Sequence, residues 1–138
     1  MTDQLSFQNP VDRYPKISPP KQHQEEPGLD RDLKPHTDHG EDTYRGTGRL
    51  QGRKALVTGG DSGIGAAVAI AFAKEGADVA IAYLPTEEPD AKHVLEVIEK
   101  AGVKAFAYPG DLSDPAYCRQ LVEASVEALG GLDIIVNN

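Results

Sequence analysis

Cysteine is almost absent: Cys118 is the single thiol in 138 residues. It can close no intramolecular disulfide and offers no cysteine-rich metal framework. Basic residues are the minority, 14 Lys and Arg against 22 Asp and Glu, for a formal charge of −8 and an isoelectric point near 4.9. A nucleic-acid partner wants a basic face, which sets that class aside. No stretch approaches the roughly 18 uninterrupted apolar residues of a membrane-spanning helix. The first thirty residues hold no apolar run behind N-terminal basic residues, so no secretory signal is read there. These absences leave the expectation of a soluble, cytoplasmic chain without nucleic-acid or membrane partners. The length allows one domain at most, and 39% apolar residues is ordinary for a soluble fold.

Residues 1–50 and 51–138 differ in composition. The first segment carries six of the ten prolines (Pro10, Pro15, Pro19, Pro20, Pro27 and Pro35), and its seven basic and nine acidic residues nearly cancel. Its apolar residues, Leu5, Phe7, Val11, Tyr14, Ile17, Leu29, Leu33 and Tyr44, follow neither a strand nor a helix period. Such a segment cannot bury enough apolar surface to offset its chain entropy. It reads as an extended arm, ordered only where it lies on a folded surface and peripheral to any ligand. Two other readings are a proline-module ligand, for which no basic PxxP element stands out, and metal chelation by His36 and His39.

Residues 51–138 alternate between the two periods. Ala55-Leu56-Val57 is a buried strand stopped by glycine, and Asp78–Tyr83, Val103–Tyr108 and Leu132–Val136 read as three more. Between them, Ile64, Ala67, Val68, Ala71 and Phe72 mark one helix face, ended by Gly76. Val94, Leu95, Ile98 and Ala101 mark a second helix, opened by Glu87, Glu88 and Asp90, which suit the helix dipole. The third helix starts with Asp114 as N-cap and Pro115 as first residue. It carries Cys118, Leu121, Val122, Ser125 and Leu129 on one face, which makes Cys118 a core thiol. A β-α-β-α-β-α-β series predicts an α/β fold, a doubly wound parallel sheet of order 3-2-1-4. The crevice at its switch point, beside strand one, is where ligands of such sheets bind.

Thr58-Gly-Gly-Asp-Ser-Gly-Ile-Gly65 joins strand one to helix one. Gly59 turns the chain off the strand, Gly63 clears space for a pyrophosphate, and Gly65 lets the helix pack closely. The free amides and dipole of the helix start then face the phosphates. A glycine-rich turn without a ligand is the bland alternative, but a βαβ setting is the confirming context. A P-loop is excluded because no Gly-Lys-Ser/Thr follows.

Thr-Gly-x-x-x-Gly-Ile-Gly resembles the signature of the short-chain dehydrogenases/reductases. Asp111-Leu112 after strand three and Asn137-Asn138 after strand four resemble two further motifs of that family. The arm and the loop variant resemble the glucose/ribitol-dehydrogenase-like and aldehyde-reductase-like members. The resemblance implies a Rossmann-type NAD(P)-binding fold and an oxidoreductase that interconverts an alcohol and a carbonyl. It places Gly59, Ser62, Gly63, Ile64 and Gly65 along the pyrophosphate and adenosine ribose. Asp111 would take the adenine amino group and Leu112 would pack on the ring. Asn137 would join contacts near the ribose and steady the sheet. For Ile64 a core role, and for Asp111 a turn cap, are the alternatives. Thr58 is expected to brace the loop. A homotetramer is also implied.

After strand two, where an acid would hold a ribose 2′-hydroxyl or a base a 2′-phosphate, stand Tyr83 and Leu84. No Lys or Arg occurs between Lys74 and Lys92, which favours NAD(H) while NADP(H) stays open. The family's Tyr-x-x-x-Lys pair is not found: the five tyrosines are followed four residues later by Ser18, Gly48, Glu87, Leu112 and Leu121. No catalytic or metal residue is therefore assigned. The chain reads as the N-terminal, cofactor-binding half of an oxidoreductase, inactive by itself, marginally stable and prone to associate. A stand-alone nucleotide-binding or regulatory module, and an extended-type epimerase or reductase, are the alternatives.

Overall fold

A computed structural model describes residues 7, 9–12 and 14–138, so that Leu5 lies outside the described residues. The strands are β1 (Lys54–Thr58), β2 (Asp78–Tyr83), β3 (Ala105–Pro109) and β4 (Ile134–Val136). The helices are α1 (Gly63–Lys74), α2 (Glu88–Lys100) and α3 (Pro115–Leu129). All strand pairs are parallel, and the sheet order is β3-β2-β1-β4, as expected. Leu56 is level with Ala80 and with Ile135, and Val57 with Ile81 and Val136. β3 and β4 each begin two residues later than their apolar runs suggest.

Side chains alternate across β1, and both faces are covered. On one face Val57, Val79, Ile81 and Tyr83 pack with α1 and α2, through Ala66, Ala69, Ile70, Ala91, Val94 and Ile98. On the other, Leu56, Ala80 and Ala82 meet Leu121 and Leu129 of α3. Burying a leucine or isoleucine fully contributes roughly 1.5–3 kcal/mol, and Leu56, Ile70, Ile81, Ile98 and Leu129 are all in that state.

One helix face differs from its expected phase, and another keeps its phase but is narrower than expected. In α1 the buried residues are Gly65, Ala66, Ala69, Ile70 and Ala73, whereas Ile64 is 77% exposed and Val68 and Phe72 pack at the rim. The helix is apolar almost all round, so the period alone allows either phase. The small residues win the sheet side because they let the helix approach closely. In α3 Leu121, Ser125 and Leu129 are buried, while Val122 is exposed. Cys118 is half-buried rather than core, and its thiol donates to the Leu112 carbonyl at 3.2 Å. Asp114 caps α3 as expected, accepting the Ala116 amide at 2.8 Å.

The arm divides in two. Phe7, Val11, Tyr14 and Ile17 are exposed, but from Leu29 onward the chain lies on α1 and α2. The Lys74 ammonium, at the C-terminal end of α1, donates to the carbonyls of Gly40 (3.0 Å), Glu41 and Tyr44 (3.1 Å). The buried Glu75 carboxylate accepts the Tyr44 hydroxyl, the amides of Thr47 and Arg49 (2.9 and 3.0 Å) and the Arg49 guanidinium (2.7 Å). These donors hold the Glu75 carboxyl far below the usual carboxylate range. Gly46 sits so close that a Cβ there would lie 1.8 Å from the Lys74 carbonyl oxygen. Among the described residues no helix is long and apolar enough to cross a membrane.

Candidate functional site

The loop between β1 and α1 is held from three sides. Gly60 donates its amide to the Ala82 carbonyl on β2 at 3.2 Å, and a Cβ on Gly60 would lie 2.6 Å from Ile81 Cγ2. From beyond β4, the Asn138 side-chain amide donates to the Gly59 carbonyl at 3.2 Å. The Asn138 backbone amide donates to the Thr58 hydroxyl at 3.1 Å, and that hydroxyl in turn donates to the Val136 carbonyl at 3.3 Å. Thr58 thus braces the loop, as expected. The contacts back to the loop are those of Asn138, and Asn137 and Asn138 are both exposed. The Asn-Asn pair carried the signal; which of the two reaches back depends on the twist of β4.

Gly59 and Gly63 have positive φ (58° and 51°), a backbone region that costs other residues about 1–2 kcal/mol. Space is the constraint at Gly65, where a Cβ would lie 1.9 Å from the Gly59 carbonyl oxygen. Above Gly63 nothing comes within 4 Å of such a Cβ, so the expected clear approach is present. Ser62 precedes α1 in extended conformation and makes no side-chain cap. The Gly63 amide donates to Asp30 of the arm (2.8 Å) and the Ala66 amide to the Ser62 carbonyl (3.0 Å). Among the described residues no acceptor meets the amides of Ile64 and Gly65. Two donors at the positive end of a helix are thereby left for an anion. Ile64, expected as either a ligand or a core residue, is at this rim and not in the core.

A cavity of about 180 Å³ opens across the C-terminal ends of β1, β2 and β3, lined by Gly59, Ala82, Tyr83, Leu84, Gly110, Asp111 and Leu112. Asp111 accepts the Ser113 amide at 2.8 Å, which pulls its carboxyl below the ordinary value. It therefore caps a turn while lining the cavity. Leu112 is 42% exposed, an apolar side chain open at the cavity edge. Tyr83 is buried and donates its hydroxyl to Glu88, and burial and that carboxylate push its pKa up. Its ring forms wall, and its hydroxyl is already engaged.

Tyr44, Tyr108 and Tyr117 are tied as well, to Glu75, the Ala124 carbonyl (3.1 Å) and the Tyr108 carbonyl (2.8 Å). All three phenols are shifted upward, Tyr44 chiefly by its Glu75 contact and the others by burial. None of these four tyrosines is poised to exchange a proton near neutral pH.

A second cavity, of about 360 Å³, lies between the arm, Asp61 of the glycine loop and the N-terminal turns of α2. Asp30, Arg31, His36, His39, Asp61 and Asp90 are among its lining. Asp61 is 2% exposed, and neither of its carboxylate oxygens has a hydrogen-bond partner among the described residues. Burial, with Glu87 and Asp90 nearby, pushes its pKa up to about 6. His39 is held between Asp30 (2.7 Å) and Glu41 (2.9 Å). Among the described residues no group of three His, Cys, Asp or Glu could hold a metal ion. Asp30, Gly60, Asp61 and Asn138 are thus the residues that sequence reasoning left out of the site. For Asp30 no local signal exists, since it reaches the loop across 33 residues.

Known proteins resemble this chain in sequence and in fold. The chain is 58% identical over 127 residues to the uncharacterized oxidoreductase YhxD of Bacillus subtilis, covering 92% of this chain and 42% of that one. It is 38% identical over 125 residues to the glucose and ribitol dehydrogenase of Daucus carota, covering 87% and 43%. Its fold matches the crystal structure of a short chain dehydrogenase from Burkholderia cenocepacia in complex with NADP, with a TM-score of 0.63 and 52% identity over 65% of this chain and 36% of that one. The chain therefore spans less than half the length of these relatives. The family model for short chain dehydrogenase matches residues 53–138, from the residue before β1 through Asn138. That match takes in the glycine loop, the Asp111-Leu112 turn and the β4 exit together, and the chain belongs to the short-chain dehydrogenase family.

Proposed function

We propose that this chain is the cofactor-binding part of a nicotinamide-dinucleotide-dependent oxidoreductase that interconverts an alcohol and a carbonyl. The observation that carries the reading is the pair of unengaged amides, Ile64 and Gly65, at the positive end of α1 beneath an open Gly63. That arrangement suits a pyrophosphate, and the loop needs no further movement to present it. The adenine end would lie in the cavity at the strand ends, against Leu112 and the wall of Ala82 and Tyr83, with Asp111 at its rim. The Burkholderia relative holds NADP, and the carrot relative is named a glucose and ribitol dehydrogenase, which supports both halves of the reading. When bound, the nicotinamide supplies or accepts the hydride. The residues of this chain hold and orient the nucleotide. None of the five tyrosines is followed four residues later by a lysine, so binding without turnover is expected of these 138 residues. The alcohol or carbonyl substrate and a homotetrameric assembly belong to the same proposal.

Between the two nucleotides we favour NAD. No base lies between Lys74 and Lys92, and the exit of β2 presents Leu84, Pro85, Thr86 and Glu87. NADP is the second reading, favoured by the 52% identical relative that binds it. Calorimetric titration with NAD and with NADP tests both. Binding of NAD, more tightly than NADP, is expected. Tighter NADP binding overturns the preference, and binding of neither overturns the function.

A further inference from the structure

We infer that the arm is a working part of the pyrophosphate site and that Asp30 is its positioning residue, an inference that rests on the nucleotide-binding reading above. Helix α1 has no side-chain cap of its own, because Ser62 makes none. Asp30, 33 residues upstream, supplies the missing acceptor: its Oδ2 takes the Gly63 amide at 2.8 Å. Gly63 is the one glycine of the loop at which a Cβ would meet nothing within 4 Å, and its φ is 51°. A fixed partner on its amide is therefore what sets the orientation of the next peptide units, those carrying Ile64 and Gly65 N–H.

Asp30 is itself fixed from two sides. Its backbone amide donates to Asp90 Oδ2 at 2.7 Å, in the first turn of α2, and the Arg31 amide reaches Asp90 Oδ1 at 3.4 Å. Its Oδ2 also meets His39 Nε2 at 2.7 Å, and His39 Nδ1 meets Glu41 Oε1 at 2.9 Å. The Glu41 carbonyl accepts from Lys74 at the far end of α1. The Asp30 side chain is 14% exposed, so water competes poorly for these contacts. The arm thus joins the glycine loop to both helices, and it takes one amide of α1 while leaving two for the ligand. A carboxylate this near a phosphate also repels it. The geometry points to orientation as the larger effect, because Asp30 takes only the Gly63 amide and leaves those of Ile64 and Gly65 open.

The test is titration of the full chain and its variants with NAD, ADP-ribose and AMP, beside amide hydrogen exchange of the ligand-free protein. Asp30→Ala is expected to weaken NAD and ADP-ribose about tenfold, the effect of losing one hydrogen bond to a charged group. AMP, which lacks the pyrophosphate bridge, should change less than twofold, and exchange at residues 63–65 should accelerate. Asp30→Asn, which keeps an acceptor oxygen, should recover most of the loss. Asp90→Ala, which removes the acceptor of the Asp30 and Arg31 amides, should show the same ligand selectivity. Equal weakening of all three ligands, unchanged ADP-ribose affinity, or tighter binding (the arm as a competitor of phosphate) would each overturn the inference. If the parent chain binds no dinucleotide, the functional reading fails first, and the inference with it; if the parent binds and the variants match it, the inference alone fails.

Discussion

A Cβ on Gly65 would meet the Gly59 carbonyl oxygen at 1.9 Å, whereas one on Gly63 would meet nothing within 4 Å. The two glycines should therefore fail differently. Gly65→Val is expected to cost several kcal/mol by overpacking, of order 3 or more, and to show as a large fall in the urea midpoint. Gly63→Val should keep the fold, less about 1–2 kcal/mol for the positive φ, and lose NAD binding by calorimetry. Wild-type affinity in that variant would remove the pyrophosphate from this loop. Asp61 offers a pH test. Its carboxyl ionises near 3.8 in the unfolded chain and near 6 in the folded one, mainly through burial. Between those values the folded state binds more protons, so stability falls as pH rises through this window, by on the order of 3 kcal/mol when complete. Asp61→Asn should flatten that part of the stability profile between pH 4 and 7. An unchanged slope would assign it to another group.

At the scale of elements, the joint between the arm and α1 rests on Glu75 and Gly46. The Glu75 carboxyl is held far below its unfolded value of 4.5, chiefly by the Arg49 guanidinium and the Tyr44 hydroxyl. The stability it contributes is present above pH 4.5 and is lost as pH falls below it. Glu75→Gln and Gly46→Val should both release residues 40–50 from α1 and speed trypsin cleavage after Arg49, while β1 to β4 stay resistant. Equal cleavage rates in variant and parent would refute this joint. The same elements show what was legible in the chain. The sheet order followed from four apolar runs punctuated by glycine, since short right-handed crossovers leave few other topologies. The phase of α1 did not, because Gly-Ile-Gly-Ala-Ala-Val-Ala-Ile-Ala-Phe-Ala-Lys offers two apolar faces and only close packing chooses between them. The loop was legible through its glycines. Asp30 was not, because backbone amides and carboxylates meeting across 33 and 60 residues leave no period in the sequence.

At the scale of the molecule, β4 forms one edge of the sheet, with Ile135 50% exposed beside β1. An apolar edge strand is a template for another chain. Ile135→Lys should lower concentration-dependent association of these 138 residues in sedimentation velocity, and an unchanged profile would place the contact elsewhere. The grip of the upstream segment on both ends of α1, Asp30 at its start and residues 40–49 at its finish, has a practical side. An affinity tag or a lengthened linker ahead of residue 29 leaves these contacts of the arm with α1 and α2 in place. A truncation that starts at β1, where the family match begins, leaves the whole sheet intact on paper and takes away the splint of its first helix.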